Sequence, residues 1–92
     1  MSITLHLPTV LAKLAPPDGR VIEAEGETVG EAVNAVATRF PALAPRLRDD
    51  EGNPYPFVIF YLNDEDIRFH GGFATPVQDG DELTIVPAIA GG

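Results

Sequence analysis

Cysteine is absent from the chain. That excludes a disulfide framework, a thiolate nucleophile and any zinc site built on cysteine. Cations are scarce: six Lys and Arg stand against 14 Asp and Glu, for a formal net charge of −8. A surface of that sign repels nucleic acid and anionic lipid, so neither is expected as a partner. It favours a protein with a basic docking face, and that attraction should weaken as salt rises. No apolar run approaches the roughly 20 residues of a membrane-crossing helix. The opening "MSITLHLPTV" has neither a basic leader nor the apolar core of a signal peptide. A soluble, cytoplasmic protein is expected. Repeats and low-complexity segments are lacking too, and 92 residues leave room for one core only.

What is present alternates. "SITLHL" puts Ile3, Leu5 and Leu7 on one face and Thr4 and His6 on the other, as in a half-buried strand. "APPDGR" supplies a turn, read as a tight hairpin at Pro17-Asp18-Gly19, and "RVIEAE" alternates again with Ile22 and Ala24 inward. Thr28 followed by Glu31 is a capping box. Val29, Ala32, Val33, Val36, Ala37 and Phe40 then form the apolar stripe of a helix that Pro41 stops. "ALAPRL" can add a short helical turn, and "RDDEGNPYP" reads as an irregular loop.

"FVIFYLN" reads as a central strand with Val58, Phe60 and Leu62 toward the helix and Phe57, Ile59 and Tyr61 on the opposite side. "NDED" turns the chain, "IRF" reads as a short strand, and "HGGFATPVQDGD" as a loop turning at Asp79-Gly80. "ELTIVPAI" is the last strand, with Leu83 and Ile85 inward and Thr84 and Val86 outward. Strand, strand, helix, strand, short strand, strand is the order of an α+β domain of the β-grasp, or ubiquitin-like, type. It has a mixed sheet of four to five strands and one main helix packed across it. The domain is expected over residues 1–88, with 89–92 as a flexible tail ending in Gly-Gly.

No active site emerges. His6 on an outward strand face and His70 in a loop read as two solvated imidazoles. "NDED" groups carboxylates but lacks the alternate-position ligands and closing Glu of a calcium loop. "HGG" lacks the Lys and Ser/Thr of a phosphate loop. No Ser is paired with a His and an acid. Catalytic and metal-binding residues are therefore expected to be none. Ile59, Tyr61 and Val86 stand out instead as apolar residues on a helix-free sheet face, where they read as a partner surface. Asp64, Glu65 and Asp66 would form its charged rim.

With that strand order and the closing "IVPAIAGG", the chain resembles the MoaD/ThiS family of sulfur carriers, relatives of ubiquitin. The stretch from "NDEDIRF" through "GGFAT" to "DGDELTIVPAIAGG" is most similar to the CysO-type carriers that bring sulfur to cysteine biosynthesis. The resemblance implies that an E1-like enzyme uses ATP to adenylate the α-carboxylate of Gly92. Sulfide or a persulfide then displaces AMP and leaves a thiocarboxylate. The chain itself would bind no cofactor and catalyse nothing. A sulfur-accepting synthase would take the sulfur; in the cysteine branch it is pyridoxal-phosphate dependent, and a metalloprotease then frees the product. Gly91 and Gly92, lacking Cβ, suit a narrow channel. The extended tail Ile89, Ala90, Gly91 and Gly92 would reach about 13–14 Å. Two alternatives share the fold: a ubiquitin-like protein modifier ending on a lysine amine, and the small subunit of a molybdopterin-synthase-type complex. A third is a β-grasp binding module whose glycines are incidental.

Overall fold

The computed structural model describes residues 1–15 and 19–88. Five strands form one mixed sheet: β1 (Ser2–His6), β2 (Val21–Glu25), β3 (Val58–Leu62), β4 (Glu65–Asp66) and β5 (Glu82–Pro87), in the order β2-β1-β5-β3-β4. β1 runs antiparallel to β2 and parallel to β5, and β3 is antiparallel to both its neighbours. A short helix α1 (Thr9–Ala12) follows β1, and the main helix α2 (Val29–Arg39) crosses the sheet. This is the β-grasp expected from the order of elements.

Alternation fixes which face is buried, since successive strand residues point to opposite sides. Ile3 and Leu5, Ile22 and Ala24, Phe60, and Leu83 and Ile85 turn to the helix and are nearly inaccessible to water. Val29, Ala32, Val33 and Val36 of α2 meet them, and Leu43, Leu47, Ile67 and Val77 close the rim of the same core. The capping box forms with one change of partner. The Thr28 hydroxyl accepts from the Glu31 amide (3.1 Å), whereas the Glu31 carboxylate accepts from the Glu27 amide (3.0 Å), one residue before the cap. Phe40 ends the helix as its C-cap, half-buried against the core, and Pro41 follows. A single 3-10 turn, Ala44–Arg46, lies within "ALAPRL".

Two expected features differ. The link from β1 to β2 is no tight hairpin: paired strand residues end at His6 and resume at Val21, and α1 occupies part of the interval. Pro17 and Asp18 lie outside the described residues; Pro8 stands in extended conformation at the N-cap of α1, where its carbonyl accepts from the Leu11 and Ala12 amides (both 2.9 Å). "IRF" is not a strand. The fourth strand is Glu65–Asp66, and Ile67–Phe69 is a 3-10 turn because the Asp66 carboxylate accepts from the Arg68 amide (2.9 Å) and coils the chain there. A further 3-10 turn, Gly72–Ala74, falls within the segment read as a loop. The turn at Asp79-Gly80 is tied to β1, with the Ser2 amide donating to Asp79 Oδ1 (2.7 Å) and the Gly80 amide to the Ser2 carbonyl (2.9 Å).

Candidate functional site

β5 is the middle strand of the sheet, and it carries the chain toward residue 92. Its last rungs are firm: Val58 faces Pro87, and the Ala88 amide donates to the Phe57 carbonyl (2.9 Å). Ile89, Ala90, Gly91 and Gly92 lie outside the described residues. The site is therefore built from what surrounds Ala88.

On the face away from α2, Ile59 stands directly opposite Val86. Tyr61 stands between Thr84 on β5 and Asp66 on β4. The structure thus brings Ile59, Tyr61 and Val86 onto one patch. Val86 is 37% exposed, and Ile59 and Tyr61 are half-buried. Two residues of strand, roughly 7 Å, separate Val86 from Ala88. A groove of about 350 Å³ lined by Pro54, Val58, Ile59, Arg68 and Ala88, among others, joins the patch to the end of β5. Phe57 is open to solvent, as expected of a residue turned from the core. It lies one residue before β3, 60% exposed, with its ring edge-on to Tyr55 (5.4 Å between centroids).

The three carboxylates of the expected rim have three different situations. Asp66 is committed to structure: only 11% of its side chain is exposed, and Arg68 Nη2 lies 2.6 Å from Oδ2. The Arg68 side chain, then its amide, hydrogen-bond Asp66 and hold its carboxyl below the usual carboxylate range, while Asp66 raises Arg68 in return. Glu65 Oε1 meets His70 Nε2 at 2.7 Å. Asp64 is exposed and makes no ion pair among the described residues. Asn63 and Asp64 both have positive φ (49° and 72°), as a two-residue turn between antiparallel strands demands. Asn63 also exchanges bonds with the last strand, donating to Asp81 Oδ1 and accepting from the Glu82 amide (both 2.9 Å).

The histidines are less free than their positions in the sequence promised. His6 Nε2 lies 2.7 Å from Glu82 Oε1, so each imidazole has a carboxylate beside it. His6, Glu82, Thr84, Asn63 and Asp64 line a shallow depression on the outer face. Among the described residues no three of His, Asp and Glu are grouped to hold a metal ion. Nor does any helix there have the length and apolarity to cross a membrane. What the face can do chemically is recognise: an apolar patch with an aromatic centre, bordered by exposed Asp64, Glu65 and Glu82.

A second surface flanks the end of β5 and escaped the sequence reading. Val10, Leu14, Tyr55, Phe57 and Pro87 form an apolar groove of about 360 Å³ whose rim includes Lys13 and Arg46. The missed signal lay in "TVLAKL", where a four-residue helix is too short to show a period.

Known proteins share this fold. Sulfur carrier protein CysO of Mycobacterium tuberculosis is 40% identical over the full length of both chains, and its crystal structure superposes with a TM-score of 0.83, covering 95% of this chain and 99% of that one. The Amycolatopsis orientalis BexX/CysO complex contains a chain 42% identical, with a TM-score of 0.86 and coverage of 98% and 99%. Small archaeal modifier protein 1 of Haloferax volcanii, at 28% identity, matches end to end with a TM-score of 0.81. The ThiS family matches residues 5–92, which takes in the fold, the patch and the Gly-Gly end together, and the chain belongs to that family.

Proposed function

We propose that the chain is a sulfur carrier: residues 1–88 are the folded carrier body, and 89–92 the segment that enters partner active sites. The observation that carries this reading is the family match, continuous to residue 92, together with end-to-end likeness to a sulfur carrier. A carboxylate at Gly92 is ionised near neutral pH and is a poor electrophile. An E1-like enzyme therefore activates it. The carboxylate oxygen attacks the α-phosphorus of ATP, pyrophosphate leaves, and an acyl-adenylate forms. A sulfide sulfur then attacks the carbonyl carbon and AMP departs, leaving the thiocarboxylate. Where the donor is an enzyme persulfide, the acyl disulfide formed as AMP departs is cleaved by a second thiol of the activating enzyme, which ends in a disulfide as the thiocarboxylate is released. The carrier is a co-substrate in both steps and catalyses neither. A cytoplasmic setting follows from the need for ATP.

Ile89, Ala90, Gly91 and Gly92 reach into the enzyme while Ile59, Tyr61 and Val86 dock outside, rimmed by Asp64 and Glu65. Asp66 holds the adjoining turn in shape. A relative crystallised with BexX supports a docked partner of this kind. Likeness to the CysO carriers favours a cysteine-forming acceptor, a pyridoxal-phosphate synthase followed by a metalloprotease. The modifier reading is kept as the second, because two small archaeal modifier proteins are also relatives.

The test is a reconstitution with the activating enzyme, ATP and a sulfide source. The C-terminal peptide should gain the mass of sulfur in place of one oxygen, and only when ATP is present. Deleting Gly92, or adding one residue after it, should abolish pyrophosphate exchange into ATP without altering the fold. Undiminished exchange by the shortened chain overturns the assignment to Gly92. A lysine-linked adduct in place of the thiocarboxylate favours the modifier.

A further inference from the structure

The groove beside Pro87 differs in charge from the rest of the molecule. In a chain with six cations and net charge −8, Lys13 and Arg46 both sit on its rim. Among the described residues, none that lines it is acidic. Both cations are exposed, and neither makes an ion pair or side-chain hydrogen bond there. By contrast, Arg68 is held by Asp66, and Arg39 donates to the Glu23 carbonyl (2.8 Å). Two large apolar side chains in the groove face water, Val10 at 59% and Phe57 at 60% exposure. Apolar surface left open between unpaired charges of one sign is the pattern of a docking site.

We infer that this groove binds an acidic segment of a protein partner. An aliphatic or aromatic side chain of that segment seats against Val10, Leu14 and Phe57, and a neighbouring Asp or Glu pairs with Lys13 and Arg46. Charge complementarity selects the occupant. The outer face of the sheet, bordered by Asp64, Glu65 and Glu82, suits a basic surface; the groove suits the opposite sign. The strand that leads to the tail borders both surfaces, Val86 on the face and Pro87 in the groove. A single partner can therefore grip the exit on two sides with opposite charges, which fixes the direction in which the following residues point. The carrier reading supplies that partner's identity; the groove and its charge stand without it.

The probe is a blocked synthetic peptide in which Leu-Phe is flanked by Asp and Glu, titrated into the full-length nitrogen-15-labelled protein. Amide shifts should move at Val10, Lys13, Leu14, Arg46, Tyr55 and Phe57, and affinity should fall as salt rises. Lys13→Glu with Arg46→Glu should weaken binding roughly tenfold or more, and a peptide with Lys in place of its acids should not bind. If the double reversal unfolds, Lys13→Ala at the same exposed position should still weaken binding. Shifts centred on Tyr61, no shifts, or unchanged affinity in the folded variants overturn the inference. So does movement of the groove signals with protein concentration alone, which makes a second copy the occupant. Binding seen only after residues 89–92 are removed makes the chain's own tail the occupant. None of these readouts involves sulfur, so failure of the carrier chemistry leaves them standing.

Discussion

At Gly30, in the first turn of α2, a Cβ would stand 2.9 Å from Phe73 Cβ and 3.0 Å from the Phe73 carbonyl oxygen. Phe73 has little room to retreat, because its ring packs edge-on against the buried Phe60 (5.2 Å between centroids). Two effects of Gly30→Ala oppose one another. Helix propensity favours alanine by about 1 kcal/mol, and overpacking costs about 1–3 kcal/mol. Because one of the clashing atoms is backbone, the second should win. Gly30→Ala is expected to destabilise by about 1–2 kcal/mol, read as a lower urea midpoint with unchanged slope. A higher midpoint would show that the turn at Gly72–Ala74 yields more readily than its packing implies.

The β3–β4 hairpin and the 3-10 turn after it are tied by two carboxylates, Glu65 to His70 and Asp66 to Arg68. Asp66 has its pKa lowered in the folded state by Arg68. Such a group adds stability that is fully present above the ordinary carboxylate value of about 3.9 and is lost as pH falls through the lowered value. Below about pH 4 the wild type should therefore lose an increment of stability that Asp66→Asn lacks; parallel urea-midpoint profiles for the two would remove Asp66 from that role. The same element shows where sequence stops informing structure. "IRF" alternates like a strand, yet the bonds from Arg68 back to Asp66 coil it. The α2 helix was legible because cap, stripe and stop all lie within one short stretch, Thr28 to Pro41. The inward residues of β1, β2, β3 and β5 were legible from alternation alone. The groove was not, since Val10, Arg46, Phe57 and Pro87 meet only after the sheet is assembled.

For the whole molecule, two kinds of docking energy should separate under salt. In the docking proposed above, the apolar patch would contribute by burial, which ions barely screen, whereas rim charges would act through a field that salt collapses within about 10 Å. Tyr61→Ala should weaken activation by about 2 kcal/mol, as for a central aromatic anchor, and by the same factor at every ionic strength. Asp64→Lys should weaken it modestly and chiefly at low salt. Activation kinetics at two salt concentrations check both, with circular dichroism establishing that Tyr61→Ala remains folded. Normal binding by a folded Tyr61→Ala would move the docking surface elsewhere. Asp66→Lys should behave differently from Asp64→Lys, because it removes the partner of Arg68 and disturbs the turn itself.

Position in the sheet has a mechanical consequence. β5 is flanked on both sides, by β1 running with it and β3 running against it, and the Ala88 amide extends the second ladder past the strand's end. Force applied beyond Ala88 pulls β5 along its own axis. It loads the rungs of both ladders together, in shear, instead of peeling them one after another as it would at an edge strand. On the carrier reading proposed above, a partner that drew the tail into its active site would thus pull against both ladders at once, the geometry in which a sheet resists best.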